Sequence, residues 1–262
     1  MKKHISDSRN EPKGRNRVFL VLMIFAGILL LTGAGFLLVE PIKTMRREKI
    51  TDDAINAMAA QMSEAQASAG PSATYDPDSE IEATFIVPKD GNEIPGEEYD
   101  FFDDDPDVQA SIRAFVSSRE AKLPSNVTLV CIGVLKIDSI NKTLPVWNST
   151  STVALRYGVG HYGQSAKPGK PGNAAILGHN MQNTTLFSKL KRCKTGDNVK
   201  FIKLDGTVYN YKIDDIKIVY KNELYQYVIK SASKKEQLTL VTCANDDYGH
   251  GYRRVVICHP VN

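Results

Sequence analysis

Three residue types in this chain could together act on a carbonyl: a thiol, an imidazole and a guanidinium. Cys243 closes the apolar run Leu238–Thr242 rather than lying inside it. Polar residues mark its exit: Thr242, Asn245, Asp246 and Asp247. A cysteine in an apolar strand is usually a small buried hydrophobe. A thiol at a strand's end with a nearby base or cation can instead become a nucleophilic thiolate. His179 is the base the spacing favours, because the run Asn173–Gly178 delivers it at its end in the same way. His161, in Gly158–Tyr162, remains open as a rival, and His250 lies in the loop after Cys243. His259, near the end, and His4, before the apolar N-terminal run, are poorly placed. Arg254 opens the last strand, eleven residues after Cys243, where a guanidinium could steady negative charge on a substrate oxygen. The plain alternative is a surface arginine on an edge strand. Side chains alternate along a strand, so only one of Arg253 and Arg254 can face the cysteine, and Arg254 is expected to be that one.

These residues need strands to carry them. From Asn126 onward, short β-type runs alternate with turn residues. Strands are expected at 127–137, 144–147, 173–179, 198–204, 207–219 and 225–229, followed by the two around Cys243 and Arg254. Asp205-Gly206 between two such runs is a hairpin signal. Short helices are expected at 149–157 and 186–190. About eight strands with few helices point to a mainly β fold, a closed or nearly closed β-barrel.

Charge is segregated along the chain. Residues 76–107 carry 13 acidic residues and one basic, whereas 120–262 carry 20 basic and 10 acidic. A basic domain could suit nucleic acid, but no zinc-finger, helix-turn-helix or RNA-binding signature accompanies it, and no nucleic-acid partner is expected. The four cysteines, Cys131, Cys193, Cys243 and Cys258, match no paired metal-ligand spacing, so a structural zinc is not expected. Outside the cell a disulfide among the three other than Cys243 is open, with no pairing readable.

Residues 1–17 form a basic segment with six Lys or Arg, and residues 18–39 are free of charge. That run is long enough to cross a bilayer as a helix, which needs roughly 20 residues. It is longer than a signal-peptide core of about 7–15 residues. Six basic residues before it against four after it place the N-terminus in the cytoplasm and the C-terminal domain outside. Residues 40–121 are expected to be an extracellular linker with helical parts at 50–66 and 107–121, and 122–262 the catalytic barrel. The acidic strap at 76–107 reads as a solvated spacer. Its alternative is a segment folded back onto the basic domain, anchored by Phe101 and Phe102.

With those residues in view, the chain resembles the sortases, cysteine transpeptidases of Gram-positive cell surfaces. Thr239-Leu240-Val241-Thr242-Cys243 looks like their TLxTC signature. Gly158–Tyr162, Pro168–Asn173 and Gly178-His179 resemble the family's run up to its catalytic histidine. Gly196-Asp197 and Asp205-Gly206 with Tyr209 and Tyr211 resemble the following hairpin, and Arg254-Val255-Val256 the arginine and its strand. The resemblance covers roughly 126–258. It implies an eight-stranded sortase barrel, catalytic roles for His179, Cys243 and Arg254, and a structural or rim position for His161. Thr242, Asn180, Ala244 and Asn245 are the residues expected at the substrate. The implied reaction is attack of a Cys243 thiolate, paired with His179 imidazolium, on the Thr–Gly carbonyl of an LPxTG-like signal. A thioacyl enzyme forms and is resolved by an amine of a cell-wall precursor or a pilin lysine. The implied partners are surface proteins bearing that signal. No metal or cofactor is required, although some relatives use calcium as an activator.

The subclass is mixed. Gly178–Met181 and Leu186-Phe187 resemble class B, whereas Gly158–Tyr162 and the Leu-Val-Thr-Cys form resemble classes A, C and D. Asp105-Pro106-Asp107 lacks the aromatic of a pilin-polymerase lid motif, and the sequence has no C-terminal apolar run, so a pilin polymerase is the alternative rather than the main reading. A cysteine hydrolase of cell-wall peptides usually has its histidine after the nucleophile, the reverse of the order here. A non-catalytic tethered β-domain is the remaining alternative.

Overall fold

The computed structural model describes residues 13–68, 81–89, 125–180, 186–229 and 235–261. The chain divides into two units, Met1–Arg46 and Arg47–Asn262. Helix α1 runs Lys13–Ser68 and takes in the uncharged run. Among the described residues, no helix is long and apolar enough to cross a membrane.

In the second unit, nine strands form one sheet. They are β1 (Ala83–Pro88), β2 (Asn126–Ile137), β3 (Lys142–Trp147), β4 (Val159–His161) and β5 (Gly172–Leu177). Then come β6 (Asn198–Lys203), β7 (Val208–Tyr220), β8 (Glu236–Cys243) and β9 (Tyr252–Pro260). The order is β1-β2-β3-β4-β5-β8-β9-β7-β6, and β6 pairs back onto β2. Eight strands therefore close into a barrel, which leaves no open edge among them. β2 can serve both sides because β1 takes residues 126–131 and β6 takes 133–137.

The expected number of barrel strands holds, but its membership differs. Of residues 225–229, expected as a strand, 225–228 lie in a short helix, α3 (Leu224–Val228). Leu224 and Val228 are both fully buried while Tyr225 and Gln226 are exposed; an alternating strand would bury residue 226 with them, whereas a helical face skips it. The missing strand is supplied by β4, three residues that pair parallel to β3 and antiparallel to β5. Helix α2 (Thr152–Tyr157) is capped by Ser151, whose Oγ accepts from Ala154 N.

The linker is also less of a spacer than its acidity suggests. β1 lies within it, paired in register with β2 from Ala83↔Cys131 to Pro88↔Asn126. Ala83 and Val87 are buried and Thr84 and Ile86 exposed, the alternation of a half-buried strand. Ala54 and Met58 of α1 join β1, β2, Trp147 and α2 in one buried cluster. Thr51 Oγ1 donates to the carbonyl of Tyr157, the last residue of α2. The helix expected at 107–121, Phe101, Phe102 and most of the strap lie outside the described residues.

Every barrel strand contributes to the largest cluster, from Leu135 and Val146 through Ile176 and Leu240 to Val256, so this cluster fills the barrel. The alternate residues Ala175, Leu177, Val241, Val255 and Val219 form a second layer with Leu155 of α2 and with Leu224 and Val228 of α3. That layer lies on the barrel's outer face, and this face positions the site.

Candidate active site

β5 and β8 run parallel and in register to their last pair, Leu177↔Val241. Two residues further, the same ladder releases His179 from one strand and Cys243 from the other. Short bonds hold the two exits together. Gly178 N donates to Val241 O at 3.0 Å, and Thr242 Oγ1 donates to Gly178 O at 2.7 Å. Asn180 Nδ2 donates to Cys243 O at 2.9 Å. Gly178 is required by space. A Cβ there would stand 2.7 Å from the Phe187 ring and 2.8 Å from Val159 Cγ1. The first threonine of the motif works further back. Thr239 Oγ1 donates to Asn173 Oδ1 at 2.7 Å, and Asn173 Nδ2 reaches the carbonyls of Tyr227 and Val228 at the end of α3.

Cys243 shares the parity of Val241, which places it on the outer face under α2 and α3. It keeps 9% of its surface exposed, at the edge of solvent. Its direct cross-strand partner in β9 is Arg253, and Thr242 is the partner of Arg254. Directly opposed residues of an antiparallel pair share a face. The orientation expected of the two arginines is therefore reversed: Arg253 lies on the cysteine's face and Arg254 on the other. Arg253 is fully buried and also pairs across to Val219 of the outer layer. Arg254 Nη2 binds Asp247 Oδ2 at 3.0 Å, and Asp247 Oδ1 also meets Lys191 Nζ at 3.4 Å. Asp247 thereby ties Arg254 of β9 to the 3-10 turn Phe187–Arg192 that follows His179.

His179 is partly exposed. Packing around its ring pulls its pKa down from the ordinary value to about 4, with the Arg156 guanidinium of α2 adding in the same direction. At neutral pH the imidazole is therefore neutral and able to accept a proton. His161 is buried, and its Nε2–H donates to the Ala166 carbonyl at 2.8 Å. That bond braces the turn before β5. His250 and His259 are exposed, His259 beside Asp214 at 3.5 Å. His4 lies outside the described residues.

Of the residues expected at the substrate, Asn245 is exposed at the start of α4 (Asn245–Tyr248). Thr242 and Ala244 are buried, and their polar groups are used inside the protein: Thr242 on Gly178 O, and Ala244 N on Tyr252 O. Asn180 spends its amide on Cys243 O. These three position the thiol. Nothing in the sequence marks Arg156, since one helical arginine carries no motif, and Asn173 closes the Pro168–Asn173 run without its bonds to α3 being readable there. The four cysteines are all free and buried. Burial pushes the thiols of Cys131, to about 12, and of Cys193 upward, which keeps both protonated.

The sortase-domain family model matches residues 135–261. Sortase D of Bacillus subtilis (strain 168) is 32% identical over 126 residues, covering 48% of this chain and 61% of that protein. Sortase A of Streptococcus agalactiae serotype III (strain NEM316) is 31% identical over 124 residues, covering 45% of this chain and 49% of that protein. Among solved structures, sortase A from Corynebacterium diphtheriae is 31% identical with a TM-score of 0.46, covering 50% of this chain and 61% of that one. The chain thus spans about half to three fifths of the length of these relatives. Residues 135–261 thus resemble a sortase domain.

Proposed function

We propose that the protein is a membrane-anchored cysteine transpeptidase in which Cys243 is the nucleophile, His179 the proton carrier and Arg253 the guanidinium at the reacting carbonyl. The observation that carries this reading is the paired exit of His179 and Cys243 from β5 and β8, with Arg253 opposite the thiol. His179 takes the thiol proton as sulfur adds to the carbonyl carbon of the Thr–Gly bond in an LPxTG-like signal. Arg253 faces the oxyanion that forms. Collapse breaks the C–N bond, and the imidazolium gives its proton to the departing glycine amine. The thioester is then attacked by a second amine, from a cell-wall precursor or a pilin lysine, with His179 taking the amine proton and the thiolate leaving. No step needs a metal.

Phe19, Leu20, Val21, Leu22, Met23, Ile24 and Phe25 of α1 are all more than half exposed, which supports insertion of the 18–39 run into a bilayer. In this reading the basic N-terminus is cytoplasmic and the barrel extracellular.

The test is an LPxTG-type peptide with and without an amine acceptor, followed by mass spectrometry. Cleavage with an amide product whose yield rises with acceptor supports the proposal. Hydrolysis alone at every acceptor concentration would leave a cysteine hydrolase, and no cleavage by the intact protein would remove the enzymatic reading.

A further inference from the structure

Across strand β9 from Arg253, the barrel rim carries a group of exposed tyrosines that the proposed chemistry does not use. Tyr220 ends β7 and is the ladder partner of Tyr252, which opens β9. Their rings meet edge to face at 5.4 Å. Tyr248, from α4, stands 6.4 Å from Tyr252 at a tilt of 43°. All three are exposed: 41% for Tyr220, 37% for Tyr252 and 52% for Tyr248. Exposed aromatic groups that touch one another mark contact surfaces more often than single exposed rings do.

This platform is built into the fold. Gly251 sits at φ +89°, and a Cβ there would come within 2.6 Å of the Tyr220 ring. The absent side chain is what lets the ring lie over the turn. On α4, Asp247 binds Arg254 and Lys191, while the next residue, Tyr248, projects into solvent. Ala244 N, adjacent to Cys243, donates to Tyr252 O, which joins the platform to the thiol by one backbone bond.

Geometry also gives the platform a direction. Cys243 and Arg253 face the outer layer under α2 and α3, where an acyl chain on the thiol has to lie. Tyr252 alternates with Arg253 and so points to the other side of β9. A second substrate must reach the thioester without crossing the first, and the rim beyond β9 offers that approach. Flat tyrosine faces fringed by hydroxyls suit a ligand with an apolar face and a polar edge, the two sides of a pyranose ring. We propose that Tyr220, Tyr248 and Tyr252 form a saccharide-binding subsite that holds the sugar portion of a glycan-bearing amine acceptor beside Cys243.

This inference rests on the transpeptidase reading, and the test separates the two. The intact protein in detergent is given one amine-bearing peptide in two forms, bare and attached to a disaccharide of N-acetylated hexosamines. The readout is the ratio of their acceptor KM values, which cancels any loss common to both. In the unaltered protein the glycan form should have the lower KM, by about tenfold for one or two stacking contacts. Tyr248→Ser and Tyr220→Leu should bring the ratio toward one. A ratio near one in the unaltered protein, or unchanged in the variants, overturns the subsite. Equal loss for both acceptors would assign the platform to the peptide instead. Should neither acceptor be used, the transpeptidase reading fails. The platform is then judged by NMR titration with chitobiose, where undisturbed tyrosine resonances would remove it.

Discussion

Cys243 and Arg253 stand directly opposite each other in the β8–β9 ladder, on the outer face of the barrel. Arg254, one residue on, faces the other way and is held by Asp247 at 3.0 Å. The two guanidiniums therefore have different work, and substitution should distinguish them. Arg253→Ala should lower kcat/KM by about 10²-fold or more, the scale seen when a donor to a developing oxyanion is removed. Arg254→Ala should cost about tenfold or less, through the loop it secures. A larger loss in Arg254→Ala would return the oxyanion role to Arg254.

The depressed pKa of His179 has a sign that pH can test. The folded protein holds the imidazole neutral down to about 4, whereas an unfolded chain protonates it near the ordinary histidine value. Between those values the unfolded state binds more protons, so stability should fall as pH drops through that window and hold above it. His179→Gln should flatten this part of the stability curve in urea titrations. An unchanged acid slope would mean that another group controls it.

Arg156 adds to that depression. Arg156→Gln should therefore move the acid limb of kcat/KM upward, toward the ordinary histidine value, while packing around the ring still keeps it below. Steady-state rates from acid to neutral pH would report the shift. A limb that stays in place while the rate falls would show only a structural role for the guanidinium.

Gly178 has the Phe187 ring and Val159 against the place where a Cβ would go. Gly178→Ala should cost about 1–3 kcal/mol as an overpacked position. It should also lower turnover, because the displaced backbone carries His179. Denaturant midpoints and kcat measured on the same sample check both, and near-normal turnover would show that the loop absorbs the methyl.

Asn173 is buried, with its amide bonded to Tyr227 O, Val228 O, Thr239 Oγ1 and Gln237 Nε2. Asn173→Ala leaves two carbonyls and a threonine hydroxyl without this partner, at about 1–3 kcal/mol for each group left unsatisfied. The loss should be centred on α3, visible as faster amide exchange at 224–229. Exchange that speeds up evenly across the barrel would contradict this linkage.

Much of this site can be read from sequence because its key residues sit at strand ends. The apolar runs before His179 and Cys243 end in polar loops, and that pattern survives without coordinates. The same punctuation marks seven of the eight barrel strands. The facing of Arg253 and Arg254 did not, for a physical reason. Val255 and Val256 are both fully buried, one in the outer layer and one inside the barrel, so β9 has little apolar–polar alternation to reveal its register. β4 was hidden because three residues around Gly160 show no period. β1 was hidden by its acidic flanks, although its own six residues carry no charge.

On the transpeptidase reading, the in-register pair of β5 and β8 separates two things that can change at different rates. The exits of His179 and Cys243 are fixed by one ladder and a few bonds close to the strand ends. The stretches that follow, 180–186 and 244–251, can therefore vary in length and side chains while the distance between imidazole and sulfur stays set by the strands. Exchanging these stretches between relatives should, on that reading, retune what is joined to what, with the paired exits inherited unchanged.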